Sequence, residues 1–409
     1  MTDMRASLAR NFVDEQERQS SPAGPLLPDV RGLRIALFSG NYNYLRDGAN
    51  QALNRLVGYL LKRGAAVRVY SPTSDTPAFG PQGDLVSVPS RPMPFGRGEY
   101  RVAWSIPEPI RRDIDAFQPN IFHLSVPMFI GSSALRLSRK MGIPAVASMH
   151  TRFETYPRYY GAGFLEAPVT ALLKRFYKGC DAVVAPCASA AEMMIAQGMC
   201  HKVGIWSRGI DATIFNPQRR SLEWRQARGI ADNEVVIGVL GRLVMEKGLD
   251  TVVAAAQLLQ QRGIRHRIVA IGSGPAQDWI STQLPKALFV GHLESTALGT
   301  AVASIDILFN PSETETFGNV TLEAMASGVA VVAAMSTGSS SLLTDGVSGS
   351  LIAPGDIIGF ADALELYITN CTIRRTHGLN ALLDSRGYDW DRVNEAMIAT
   401  YLETLPRCH

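Results

Sequence analysis

The chain has no uninterrupted apolar stretch approaching the roughly 18–20 residues that a membrane-spanning helix needs. Its opening "MTDMRASLARNFVDEQERQS" carries charges throughout and lacks the apolar core of a secretory signal, so a cytoplasmic location is expected. Residues 1–29 are expected to form a tail, with a short helix near residues 6–13. Cysteine is scarce, with five residues at Cys180, Cys187, Cys200, Cys371 and Cys408. The number is odd and no pair has Cys-x-x-Cys spacing, which indicates neither a disulfide framework nor a zinc site. His201 beside Cys200 is a weak metal signal. A strong net charge is also missing, but the formal +3 hides an asymmetry. Residues 1–204 hold 24 Lys and Arg against 16 Asp and Glu, whereas the rest holds 16 against 21. A basic half suits an anionic membrane surface or a phosphorylated substrate. An undirected scatter of surface charge is the other reading. No nucleic-acid partner is expected, and the oligomeric state is not legible.

What is present is material for two cores. At 409 residues, 46% hydrophobic and 19% charged, the chain is a globular protein too long for one ordinary domain. Apolar runs bounded by turn residues lie at 33–40, 65–72, 119–126, 143–150 and 180–186, with helical patterns between them, such as 49–63. Residues 72–98, rich in Pro and Gly, read as irregular. The pattern restarts at 234–242, with a helix at 249–262, and continues at 266–274, 287–292, 304–312 and 329–335. This alternation predicts βαβ units and parallel sheets. The expected layout is a first Rossmann-like domain at 30–205, a second at 206–385, and a C-terminal segment, 386–409, packing back on the first. In doubly wound sheets ligands bind beyond the carboxyl ends of the strands, so the segments after the strands are the candidates for chemistry.

Several such segments stand out in the second half. In "GRLVMEKG" (241–248), Arg242 and Lys247 share one short loop after a strand. Two cations that close suit a diphosphate, although a solvated cationic loop would look the same. The turn "GSGP" begins at Gly272 but lacks a full G-x-G-x-x-G, so no dinucleotide fingerprint is supported. "SETETFGNVTLEAMASG" (312–328) runs from a strand through a Gly-containing turn into a helix. Its turn offers backbone N–H groups to an anion, and Gly318 permits close approach. Glu315 and Glu323 lie eight positions apart. Acids beside an anion site suit sugar and ribose hydroxyls; as ordinary helix residues they would answer to the macrodipole and to solvent.

Taken in order, these segments resemble glycosyltransferase family 4, whose members have the GT-B fold of two facing Rossmann-like domains. "GRLVMEKG" is similar to the family's diphosphate loop and "PSETETFGNVTLEAMASGVAVVA" to its E-x7-E segment. "SRGIDATIFNP" resembles its interdomain stretch, and "HTRFETYPRYYG" a loop of the branch with mannosyltransferases and glycolipid synthases. The resemblance covers residues 33 to about 400. One departure is Asp47-Gly48-Ala49, where family members often carry a Gly-Gly pair.

The resemblance implies a retaining, metal-independent transferase using a nucleotide sugar. Arg242 and Lys247 would neutralise the donor diphosphate, Glu323 would accept from the ribose, and Glu315 would hold the transferred sugar. Backbone around Thr316, Phe317, Gly318, Asn319 and Val320 would line sugar and phosphates. His150 would touch the sugar near its anomeric centre, Gly48 would cap the diphosphate, and Gly272 and the backbone near His292 and Leu293 would lie on the nucleotide side. Arg152 and Arg208 are candidates for a carboxylate on donor or acceptor. No cofactor is implied, and no Asp-x-Asp lies in a suitable loop ("DID" at 113–115 is in a helical segment). UDP-glucose or UDP-glucuronate is expected as donor, with GDP-mannose as alternative. The expected acceptor is a lipid such as diacylglycerol, reached through Arg91, Arg97, Arg101, Arg111 and Arg112 among Phe95, Tyr100, Trp104 and Pro107. A soluble sugar acceptor, or a protein that binds a nucleotide sugar without catalysis, are the alternatives.

Overall fold

In the computed structural model, residues 27–45, 47–93, 100–155 and 163–406 are described. The helix expected near 6–13, Phe95, Arg97, all of "YPRYYG" and Cys408 lie outside them. Among the described residues, nine strands precede residue 206: β1 (Arg34–Phe38), β2 (Ala66–Ser71), β3 (Asp84–Ser87), β4 (Arg91–Pro92), β5 (Arg101–Val102), β6 (Ile121–Leu124), β7 (Ala145–Ser148), β8 (Ala182–Ala185) and β9 (Gly204–Ile205). Seven form one sheet in the order β3-β2-β1-β6-β7-β8-β9, all parallel, while β4 and β5 make a separate antiparallel ribbon. The second sheet holds β10 (Val236–Leu240), β11 (Arg267–Ile271), β12 (Leu288–Gly291), β13 (Ile307–Asn310), β14 (Ala330–Ala334) and β15 (Ser350–Ile352), in the order β12-β11-β10-β13-β14-β15.

The apolar runs make these sheets because both faces of a parallel sheet are covered. β6, β7, β13 and β14 are buried at every residue. Phe38 stacks between Tyr70 and Phe122 at centroid distances of 5.1 and 5.2 Å, which locks β1 between its neighbours. The stretch 72–98 is not wholly irregular as expected, because it contains β3 and β4. β3 is a four-residue edge strand with only partial burial, so it carries little apolar signal.

Each sheet reverses its strand order once, between β1 and β6 and between β10 and β13. Such switch points open crevices at the strand ends. Helix α1 (Gly48–Lys62) starts beside the first crevice, capped by Asp47, whose carboxylate accepts from the Asn50 N–H at 2.8 Å. Helix α2 (Leu249–Gln261) follows the loop after β10, and helix α3 (Asn319–Ala326) the turn after β13. The chain crosses back near residue 388, where the Ile210 N–H donates to the Tyr388 carbonyl at 2.7 Å. Helix α4 (Trp390–Thr404) then lays Val393, Met397, Ile398 and Tyr401, one face at helical spacing, into the core formed by β1 and α1. Among the described residues no helix is long and apolar enough to cross a membrane.

Candidate active site between the two sheets

The second domain supplies the loop after β10, the turn after β13 and the start of α3, all flanking its switch point. Arg242 is exposed, and its side chain has no hydrogen-bond or ion-pair partner among the described residues. Lys247 donates to Glu315 Oε1 at 2.6 Å, so the two motif loops are joined by an ion pair. The turn between β13 and α3 is stapled in several places. Asn310 Nδ2 donates to Thr321 Oγ1 at 3.2 Å, and the Gly338 N–H donates to the Glu315 carbonyl at 2.9 Å.

Gly318, at φ 92°, adopts a left-handed conformation that delivers the chain into α3, and no side chain caps that helix. The first-turn N–H groups, with the positive end of the helix dipole, are left for an anion. Phe317 is buried and Val320 packs partly into the core, so the turn contributes backbone rather than side chains. A Cβ on Gly241 would lie 3.9 Å from Val320, which brings the cationic loop against the start of α3.

Glu323 has no side-chain partner among the described residues. Its carboxyl is pushed up to about 8, first by burial and then by the charge of Glu315. Near neutral pH it is therefore largely protonated, able both to accept and to donate a hydrogen bond. Gly272, at φ 137°, has a different reason to be glycine: a Cβ there would lie 2.0 Å from the Gly241 carbonyl oxygen. The close packing of two protein loops already requires it. Leu293 is half-buried against the core, and its neighbour His292 pairs with Glu294 at 3.0 Å.

The first domain brings different elements to the same place. Gly48 abuts α3: a Cβ on it would lie 2.0 Å from Asn319 Nδ2. His150, half-buried just after β7, accepts a hydrogen bond from Thr316 Oγ1 on its carbonyl at 3.0 Å. Its ring is committed within the protein, with Nε2 2.8 Å from Ser148 Oγ and Nδ1 2.8 Å from the Arg208 guanidinium. Burial, then Arg208, then His123 hold His150 well below the usual histidine range, so the ring is neutral. The sequence reading puts this ring against the donor sugar, but here both of its nitrogens already have partners.

Arg208 is buried and has no carboxylate within ion-pair distance among the described residues, although Asp47 acts on it from farther away. Burial lowers its pKa to about 10. Arg152 instead lies 2.8 Å from the buried carboxylate of Glu154, which already answers its charge. Sequence reasoning missed Cys187 and Ser189, which donate across the domains to the carbonyls of Thr316 (3.2 Å) and Thr337 (2.5 Å). Nothing in their local pattern marks an interdomain contact. Among the described residues no group of three or more His, Cys, Asp or Glu could hold a metal ion.

Two facing switch-point crevices, a cationic loop, an uncapped helix start and two acids define a site for a phosphorylated, hydroxyl-rich ligand. Residues 46–214 match the family described as Glycosyltransferase Family 4, and residues 234–370 match Glycosyl transferases group 1. A GDP-mannose-dependent alpha-mannosyltransferase of Mycolicibacterium smegmatis is 30% identical over 92% of this chain and 98% of its own. A sulfoquinovosyl transferase of Arabidopsis thaliana is 30% identical over 87% of this chain and 71% of its own. The fold matches sucrose-phosphate synthase from Thermosynechococcus elongatus with a TM-score of 0.75, at 17% identity, over 91% of this chain and 98% of that one. The chain therefore belongs to glycosyltransferase family 4. It is a glycosyltransferase with the GT-B architecture that its sequence motifs imply.

Proposed function

We propose that the protein is a retaining, metal-independent transferase that moves a hexose or hexuronic acid from a nucleoside diphospho-sugar to a lipid acceptor. The observation that carries the donor half is the conjunction, around one crevice, of an Arg242 side chain, an α3 start and a Glu323 carboxyl that have no partner among the described residues. When the anomeric C–O bond breaks, positive charge is left on the sugar and negative charge on the diphosphate. Arg242, Lys247 and the start of α3 stabilise that negative charge by preorganised electrostatics, with no divalent ion required. The acceptor hydroxyl oxygen attacks the anomeric carbon from the side that the diphosphate leaves, and its proton passes to the departing phosphate oxygen. Glu323 accepts from the ribose hydroxyls. Glu315, held by Lys247, accepts from the transferred sugar.

The lipid acceptor is supported by the surface of the first domain. Phe164, Leu165 and Leu172 are exposed at the start and along the first turns of the Glu166–Lys178 helix, which ends in Arg175 and Lys178. Trp104 is 63% exposed and packs edge-on against Phe129, close to the basic ribbon of Arg91 and Arg101. Apolar side chains beside cations suit an anionic lipid interface. For the donor, the name of the 30% identical mannosyltransferase favours GDP-mannose, and UDP-glucose and UDP-glucuronate are the other candidates.

The test is to incubate the purified protein with each labelled nucleotide sugar and liposomes of diacylglycerol and anionic phospholipid, followed by solvent extraction. Label in the lipid phase with one donor is expected. Transfer only to water-soluble sugars would overturn the lipid acceptor, and cleavage of no donor would overturn the donor assignment.

A further inference from the structure

Behind His150 a chain of polar groups runs through the core of the first domain to the C-terminal helix. Ser148 Oγ lies 2.8 Å from His150 Nε2 and 2.7 Å from His123 Nε2. His123 Nδ1 in turn lies 2.5 Å from the Tyr401 hydroxyl on α4, 278 residues away in sequence. His123 and Tyr401 are completely buried, Ser148 and Arg208 nearly so.

A guanidinium has no acceptor, so Arg208 donates to His150 Nδ1. The neutral ring therefore carries its proton on Nε2 and donates it to Ser148. A histidine inside an apolar strand costs free energy unless its nitrogens are paired, and here Ser148 and Tyr401 pair both nitrogens of His123. The chain also joins both interdomain crossings. Arg208 lies in the outgoing segment and Tyr401 on the helix that follows the returning one, and the two segments meet at the Ile210–Tyr388 hydrogen bond.

We propose that Tyr401, acting through His123 and Ser148, is a positioning residue for His150 and Arg208, so that the C-terminal helix of the chain helps set the first-domain wall of the active site. This rests on the reading that His150 and Arg208 face the donor.

Histidine-labelled protein is first examined without substrate by two-bond nitrogen–proton correlation spectra, with His150 identified by its loss in His150→Gln. Wild-type His150 is expected to show one neutral tautomer, protonated on Nε2, throughout about pH 5 to 8. Ser148→Ala and Tyr401→Phe are each expected to shift that signal. An unchanged His150 signal in Tyr401→Phe would overturn the proposal whether or not a donor has been found. Kinetics with the donor cleaved in the transfer assay give the second arm. Tyr401→Phe is expected to lower kcat about 10-fold with donor KM unchanged. It is expected to have no further effect in a His150→Ala background, because groups acting through one another are non-additive. Equal losses in both backgrounds would mean a purely structural tyrosine and would overturn it. Failure of the donor reading itself would appear differently, as no cleavage by the wild type while the spectra still report the coupling.

Discussion

The two walls of the cleft handle their polar groups in opposite ways. On the second-domain wall, Arg242, the start of α3 and the Glu323 carboxyl are unpartnered among the described residues, and one strong pair, Lys247–Glu315, joins the two loops that present them. On the first-domain wall, His150 has both ring nitrogens occupied, and Arg208 donates to His150 and to the carbonyls of Trp206 and Ser207. The second wall holds its polar groups ready for a ligand, while the first uses them largely to hold one another. On the proposed function, charge-bearing chemistry falls chiefly to the second wall, and shape and closure chiefly to the first.

The largest expected effect tests that division. Lys247→Ala removes a cation that the proposed function sets against the leaving charge and leaves Glu315 as an uncompensated, largely buried carboxylate. Loss of one preorganised electrostatic group of this kind costs about 10²–10³-fold in kcat. Arg242→Ala, which breaks no side-chain hydrogen bond or ion pair among the described residues, is expected to lose activity comparably while its thermal unfolding midpoint stays at the wild-type value. Steady-state kinetics and melting curves check both. If Arg242→Ala retained full activity, the second wall would not be the charge-stabilising one.

A second effect appears in stability. The Glu323 carboxyl sits at about 8 in the folded protein, above the ordinary glutamate value of about 4.3 in the unfolded chain. Below the unfolded value both states are protonated and the group contributes nothing. As pH rises toward 8 the unfolded chain ionises freely while the folded one resists, so native stability falls. Glu323→Gln removes that cost. It is expected to match the wild type near pH 4 and to exceed it near pH 9 by on the order of 3 kcal/mol in urea unfolding. A constant gap across this range would mean that the carboxyl is not held protonated by its site. The same substitution should weaken nucleotide binding above about pH 8, where Glu323 is ionised and accepts more strongly than a neutral amide.

The contrast also explains what could be read from the chain. The second wall was legible because strand, loop and helix are contiguous there: Arg242 and Lys247 follow β10 directly, and Glu315 and Glu323 follow β13. The apolar runs of β10, β13 and β14, bounded by Gly and Pro, fixed where those loops must emerge. The first wall was less legible because its partners are remote. His123 pairs with a tyrosine 278 positions away, and Arg208 with a histidine 58 away. The one local signal was a histidine inside the otherwise apolar run "IFHL", which an unpaired imidazole could not occupy cheaply. β3 escaped notice for another reason. An edge strand of four residues with half-exposed faces has no distinctive pattern to show.

Gly48 lies where the two walls touch, and it discriminates between two reasons for a glycine there. The resemblance to family 4 gives the donor diphosphate as the reason, since a bare backbone lets phosphate approach. In this structure the nearest atom to a Cβ at Gly48 is Asn319 Nδ2, at 2.0 Å, so closure of one domain on the other is a reason by itself. Gly48→Ala must rotate the Asn319 amide away from the start of α3 or hold the walls slightly apart, and kcat/KM is expected to fall about 10-fold, or about 1.4 kcal/mol. The size matters less than the rescue. If the glycine serves closure, Asn319→Ala in the Gly48→Ala background restores most of the activity, because the added methyl then occupies the space of the lost amide. If it serves the diphosphate, the double variant stays as impaired as Gly48→Ala or becomes worse, since the methyl still obstructs the phosphate. A full rescue would make the first wall an element of shape, as its internally paired side chains suggest, and no rescue would give it a direct part in holding the donor.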